Sequence, residues 1–325
     1  MRALVQHSFG GPAEVLAVED VPTPEPGPGK VRIRTLLATI HNHDLWTVRG
    51  SYGFKPDLPA RAGTEAVGVV DAVGDGVEGV AVGQRVVTRA AFGTWAEYFL
   101  SPARALIPVP DEIDDETAAQ LVAMPFSAVS LLDFLGVREG DAVVQNAANG
   151  AVGTILAQLA PARGVTVVGL VRRPEAVEQL AAQGISGIVA TDGDDWRAQA
   201  RALAGDRGFT AAVDSVGGTA SGDVATLLAD EGTLVVFGAM GSSDMVLPSG
   251  PLIFRQLTVK GFWAKRIGEE MSPAKSAELM SEVFRAAADG SLRLPVDSVH
   301  PLGDIRAAVA ASARPGRIGK VLLRP

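Results

Sequence analysis

VVQNAANGAVGTILAQLA, residues 143–160, passes from β-branched residues through a run of small ones into a helical apolar stripe. Val143 and Val144 suit a buried strand, and Val152, Ile155, Leu156 and Leu159 recur at i, i+3, i+4 and i+7, the period of one helix face. Between them Ala147, Gly150 and Gly153 form A-x-x-G-x-x-G. Small residues there keep a strand-to-helix turn tight, let backbone N–H groups approach a pyrophosphate, and let helix pack on strand. The helix N-terminus then turns its partial positive charge toward the anion. In an alanine-rich chain the same residues also fit plain packing, so the reading needs independent support.

The flanking sequence supplies it. From about Ala119 to Trp263 strand patterns (AVVQNA, VTVVGLV, GIVA, FTAAVDSV, GTLVVFGAM, LTVKGFWA) alternate with helical ones (GAVGTILAQLA, PEAVEQLAAQ, DWRAQARALAG, ASGDVATLLAD). That order predicts a parallel sheet with crossover helices. Pro174 suits a first helical turn and Gly184 a helix end. Before that region KVRIRTLLATI, EAVGVVDAVG and GQRVVTRAAFGTWAEYFL are β-prone runs punctuated by Gly and Pro, as in a mostly antiparallel β domain. After Trp263 come two helical runs and a strand, GKVLLRP, expected to return to the first domain. The predicted class is α/β: a mostly β domain at 1–118 completed by 264–325, and a doubly wound Rossmann domain at 119–263.

Whole-chain properties narrow the functions. The 325 residues are 47% apolar, enough for more than one core. A formal charge of −8 with no basic block disfavours nucleic acid and anionic membrane surfaces as partners. No run of about 18 apolar residues suggests a membrane span, and a cytoplasmic chain is expected. With no Cys there are neither disulfides nor thiolate metal ligands.

Arg172 and Arg173 end the second predicted strand, about 20 residues after the small-residue turn. An NAD site places an Asp or Glu there on the ribose 2′-hydroxyl; two guanidinium groups suit a 2′-phosphate, and hence NADP(H). Glu175 is close enough in sequence to restrain one of them, and ordinary solvated arginines would read the same.

In order along the chain, GTEAVGVVDAVGDGV, VGQRVV, GVREGDAVVQNAANGAVG, AVDSVGG, LVVFGAM and GKVLLRP resemble the medium-chain dehydrogenase/reductase superfamily over nearly the whole length. The resemblance implies a GroES-like β domain beside the Rossmann domain. In the zinc enzymes of that superfamily a G-H-E motif and two Cys hold catalytic zinc; here the motif reads GTE, residues 63–65, and the structural-zinc loop is missing from RAAFGTWAEY. A zinc site would have to use His41, His43, Asp44 and Glu65. GSYGFKPDLP, VVQNAANGAVG and PLIFRQLTVKGFW resemble the zinc-free branch of quinone oxidoreductases and trans-2-enoyl thioester reductases. The catalytic Tyr of those reductases maps onto Tyr52, and an Asn of zinc-free relatives onto His41, with Asn42 beside it. Tyr52 is also readable as a packing aromatic.

For the cofactor the resemblance implies contacts from Ser127, from the turn Asn149, Gly150, Ala151, Val152 and Gly153, and from Arg172 and Arg173. Asp214, Val216, Gly217, Phe237, Gly238, Met240, Phe262 and Trp263 would continue that wall, although buried-strand packing explains several of them equally well. The expected activity is hydride transfer from NADPH to an activated C=C or a quinone, without metal. The alternatives are an alcohol or aldehyde dehydrogenase with an atypical metal site, and a non-catalytic NADPH-binding protein. A small-molecule substrate and a homodimer, formed along LTVKGFWA, complete the expectation.

Overall fold

The computed structural model describes all 325 residues, which divide into two compact units, Met1–Ala123 with Arg293–Pro325, and Met124–Leu292.

In the first unit a seven-stranded sheet runs in the order 296–301, 320–324, 30–39, 66–73, 85–88, 106–108, with 98–102 also on 30–39. A three-stranded antiparallel sheet (16–20, 2–6, 60–61) accompanies it. Along Lys30–Thr39, Val31, Ile33, Thr35 and Leu37 alternate inward, the period-2 pattern of a half-buried strand. Each buried Val, Ile or Leu there contributes roughly 1.5–3 kcal/mol. Trp95 is fully buried, and its indole Nε1 donates to the Thr39 carbonyl at 3.0 Å, so the ring brings no orphan donor into the core.

The second unit is built on β1 (Ala142–Gln145), β2 (Thr166–Val171), β3 (Ile188–Ala190), β4 (Phe209–Asp214), β5 (Leu228–Val236) and β6 (Thr258–Gly261). All neighbours are parallel and the order is 3-2-1-4-5-6, the doubly wound Rossmann arrangement. The crossover helices include α1 (Ala151–Leu159) and α2 (Pro174–Ala181). β1 is buried at every position, as a central strand covered on both faces requires, and α1 buries the predicted stripe of Val152, Ile155, Leu156 and Leu159. Pro174 occupies the first turn of α2, and Gly184 follows its end at φ +80°.

The tail departs from expectation. Residues 264–292 belong to the second unit, and the chain rejoins the first only from Arg293. Helix Pro273–Ala288 buries Leu279, Met280 and Val283, while Lys275 pairs with Asp133 at 2.8 Å and Glu282 with Arg163 at 2.7 Å. Its apolar face and its charges are satisfied by residues preceding it in the same unit.

Candidate active site

The small-residue turn lies between β1 and α1. Ala147 sits at φ +49°, in the left-handed region where an L-residue is strained by roughly 1–2 kcal/mol. Its carbonyl accepts from Gly150 N at 2.8 Å, closing the turn. At Gly153 a Cβ would come within 2.9–3.0 Å of the backbone of Ala147 and Ala148, so only glycine lets α1 start this close to β1. Gln145 Nε2 ties strand to helix by donating to the Gly153 carbonyl at 2.8 Å. Gly150 caps α1 without a side-chain hydrogen bond. The first N–H groups of the helix, from Ala151, Val152 and Gly153, have no intrahelical partner and suit an anion.

Arg172 and Arg173 follow β2, and both are exposed. Neither has a hydrogen-bond or ion-pair partner in the chain, and Glu175, also exposed, restrains neither. Two donor-only groups thus stand unengaged at the C-terminal edge of the sheet. They fit a ribose 2′-phosphate.

Asp214 has a different role from the one expected. It is fully buried: Oδ1 accepts from Asn146 Nδ2 at 2.6 Å, Val216 N at 2.9 Å and Gly217 N at 3.1 Å, and Oδ2 accepts from Ser221 Oγ. Asn146 Oδ1 in turn accepts from Ser215 N at 2.7 Å. The carboxylate is consumed in joining the end of β1 to the turn after β4, so it shapes the cofactor edge instead of touching a ligand. Phe262 is likewise a core residue, 6% exposed, with Phe134 at 5.2 Å and Phe237 at 5.9 Å between ring centroids. Phe237 and Gly238 are half-buried, Met240 and Trp263 exposed, Asn149 exposed, and Ser127 buried in helix Ala123–Leu135.

In the first unit the strand Lys30–Thr39 hands over to helix Asn42–Arg49, capped at His41. Asp44 Oδ2 accepts from His41 N at 2.9 Å, the third-residue carboxylate reaching back to the cap. Asn42 is exposed. His41, expected at the acceptor, is 0% exposed and cannot touch one. Its Nε2 is 2.6 Å from Glu65 Oε2, while Glu65 Oε1 accepts from Val122 N at 2.5 Å and Ala123 N at 2.9 Å. Burial pushes the Glu65 carboxyl up to about 7, against the pull of those two amides. Burial also holds the His41 imidazole well below its ordinary range, with Lys320 and His43 acting in the same direction. Lys320, at the start of the last strand, is lowered to about 8 by burial and by Arg317.

His43 is only partly buried. Its ring stacks on His41 at 5.0 Å and lies 5.8 Å from the ring of Tyr52. Its Nε2 is 2.8 Å from Thr64 Oγ1, which donates its one proton to Asp44 Oδ1 at 2.7 Å. The Thr64 oxygen is therefore left as an acceptor, which puts a proton on His43 Nε2 and leaves Nδ1 as the other polar atom of the ring. Tyr52, half-buried, stands beside a side chain held in one tautomer. Glu65, Asp44, Thr64 and His43 are the functional neighbours that sequence reasoning entertained only as metal ligands or left aside. The Asp three residues after His41 was the available signal for the cap; Lys320 had none.

The zinc set does not fit this arrangement. His41 and Glu65 spend their donor atoms on each other and on two amides, Asp44 spends both oxygens on His41 N and Thr64, and His43 Nε2 is committed to Thr64. No group of three or more His, Cys, Asp or Glu side chains is placed to hold a metal ion.

Comparison with known proteins is consistent across sequence and structure. Residues 27–111 match the family model described as an alcohol dehydrogenase GroES-like domain, and residues 151–282 that of a zinc-binding dehydrogenase. The human mitochondrial enoyl-[acyl-carrier-protein] reductase is 33% identical over 330 residues, covering 99% of this chain and 88% of its own. A mycobacterial quinone oxidoreductase structure superposes with TM-score 0.87 at 29% identity, and the Escherichia coli quinone oxidoreductase complexed with NADPH with 0.88 at 25%; each comparison spans 100% of both chains.

Proposed function

The chain belongs to the medium-chain dehydrogenase/reductase family, and from that premise we propose that it is an NADPH-dependent reductase of activated double bonds, enones or 2-enoyl thioesters, or of quinones. The observation that carries the cofactor assignment is the unengaged pair Arg172 and Arg173 at the end of β2, beside a turn that Gly153 keeps open. Bound NADPH supplies the hydride, delivered to the electron-poor β-carbon or the quinone ring.

The residues of the chain perform the remaining work. The α1 N-terminus, with Ala151, Val152 and Gly153, receives the pyrophosphate, and the Asp214–Asn146 network fixes the turn that flanks it. Tyr52 supplies an O–H donor for the negative charge that develops on the acceptor oxygen and for the proton that completes reduction. His43, held by Thr64 and Asp44, orders the surroundings of Tyr52. An acceptor whose own carbonyl withdraws electrons needs no metal to polarise it, in keeping with a donor set already consumed by internal hydrogen bonds. Fluorescence titration with NADPH and NADH, followed by single-turnover oxidation with crotonyl thioesters, enones and quinones, tests the reading. Tight NADPH binding without turnover on any acceptor would leave only a cofactor-binding protein.

A homodimer is part of the proposal. β6 is an edge strand with three of four residues exposed, and Ile253 and Phe254 just before it are 64% and 85% exposed. Phe254→Glu is expected to shift the chain to monomer in analytical ultracentrifugation; a wild-type monomer would contradict this. No helix is long and apolar enough to cross a membrane. The proposal places the enzyme in the cytoplasm, and recovery with an organelle fraction would contradict that placement.

A further inference from the structure

The segment that carries Tyr52 continues into a second feature that the hydride-transfer reading leaves unused. Residues from Phe54 to Arg61, with Phe92, line an open depression of about 390 Å³. Arg61 belongs to the short strand Ala60–Arg61, which pairs with Val5 and Gln6, so its backbone is fixed by the sheet. Its side chain is partly buried, and burial lowers its pKa, yet its guanidinium has no hydrogen-bond or ion-pair partner. A cation that has lost part of its water and gained no counter-charge raises the free energy of the fold unless a ligand supplies that charge.

Lys55 lines the same depression, is exposed, and is likewise unpaired. Asp57 is the single carboxylate of the lining and makes an ion pair with neither cation. Phe54 and Phe92 meet edge to face at 5.5 Å, and Phe54 is 39% exposed, giving the depression an apolar wall beside its two charges. Two unengaged cations with one carboxylate leave a net positive site. An aromatic wall next to it suits a ligand that is anionic at one end and aliphatic along its length.

We propose that this depression binds the phosphate of a pantetheine-carried 2-enoyl thioester, with Arg61 and Lys55 on the phosphate and Phe54 and Phe92 against the aliphatic arm. The inference rests on the reductase reading and selects within it: it names a phosphorylated thioester as the acceptor class, in preference to a quinone, which has no group for these cations.

The test compares crotonyl thioesters of coenzyme A, of phosphopantetheine and of unphosphorylated pantetheine, with a simple quinone as reference, for wild type, Lys55→Ala and Arg61→Gln. One charge-assisted hydrogen bond predicts a KM for the phosphopantetheine thioester about tenfold to a hundredfold below that for the pantetheine thioester in the wild type. The gap closes in both variants, with kcat and quinone kinetics unchanged. A KM advantage confined to coenzyme A would place the recognised charge on its nucleotide portion and overturn the assignment to the arm. Equal KM values for the two pantetheine thioesters in wild type, or equal losses on quinone in the variants, would also overturn it. Calorimetric binding of 4′-phosphopantetheine to the enzyme saturated with NADP⁺ separates this proposal from the reductase reading, because it needs no turnover. Binding by wild type that weakens tenfold or more in Lys55→Ala supports the site even where every acceptor is inert, and binding that does not change refutes it even where thioesters are reduced. Lys55 is exposed, so its variant preserves the fold should Arg61→Gln fail to express.

Discussion

Replacing Arg172 and Arg173 together by alanine removes two exposed guanidinium groups that contact nothing in the chain. Because they support no packing and no ion pair, stability should stay within about 0.5 kcal/mol of wild type. Their effect on NADPH follows from what a phosphate would gain. A charge-assisted hydrogen bond contributes about 1.5–3 kcal/mol, and exposure places these at the lower end. One such contact makes about a tenfold difference in Kd and two make about a hundredfold difference. NADH lacks the 2′-phosphate and should bind the variant within about threefold of its wild-type affinity, so the preference for NADPH should collapse. Titration of nicotinamide fluorescence at two ionic strengths measures both Kd values, and the wild-type preference for NADPH should narrow as salt screens the exposed charges. Equal losses for the two cofactors, or no loss for either, would refute the assignment of these arginines to the 2′-phosphate.

Other perturbations test other joints of the account. Gly153→Ala sets a methyl group within 2.9–3.0 Å of backbone atoms of Ala147 and Ala148 and should lower unfolding free energy by about 1–3 kcal/mol while weakening NADPH; denaturant unfolding and titration check it, and a neutral variant would contradict the close approach. Tyr52→Phe should lower kcat by about 10²–10⁴-fold with the NADPH Kd unchanged, and a variant that retains full kcat would remove Tyr52 from the chemistry. Glu65→Gln should alter the pH dependence of stability. The folded carboxyl, raised to about 7 from an ordinary 4.5, holds its proton longer than the unfolded one, so wild type loses stability as pH rises between those values and the penalty is complete above about 7. Against the neutral Gln that loss amounts to about 3 kcal/mol, read as a stability difference between variant and wild type that grows from pH 4.5 to 7.5; a flat difference would show that Glu65 is not destabilised in its charged form.

The parts of this molecule that were legible in its sequence are the parts decided locally. A-x-x-G-x-x-G, Pro174 and Gly184 each answer to the backbone geometry of a few neighbouring residues, and the strand–helix alternation around them fixed the order of the parallel sheet. The short helices Ser249–Phe254 and Ala264–Glu270 were missed because neither buries a residue, so no apolar period marks them. Side-chain roles that depend on distant partners were not legible either. Asp214 is claimed by Asn146, 68 residues earlier, and Glu65 by amides 57 and 58 residues later, so one carboxylate expected at the cofactor and another considered for zinc both turned out to be internal acceptors. His41 reads as a cleft histidine in HNHD, yet the sheet and the loop carrying Glu65 enclose it. Arg172 and Arg173 were found from spacing alone, and what the sequence left open was whether Glu175 occupied one of them; the structure leaves both unengaged.

The central claim is that hydride passes from NADPH to an activated acceptor while the protein supplies the proton, and isotope tracing of one turnover measures it directly. With NADPH deuterated at C4 on the transferred face and a crotonyl thioester in ordinary water, the account predicts a saturated thioester carrying one deuterium at the β-carbon and one solvent-derived proton at the α-carbon, with one NADP⁺ formed per product and the same yield after dialysis against a chelator. Deuterium at the α-carbon, a yield that requires added zinc, or NADPH consumed without any reduced thioester or quinol would contradict it.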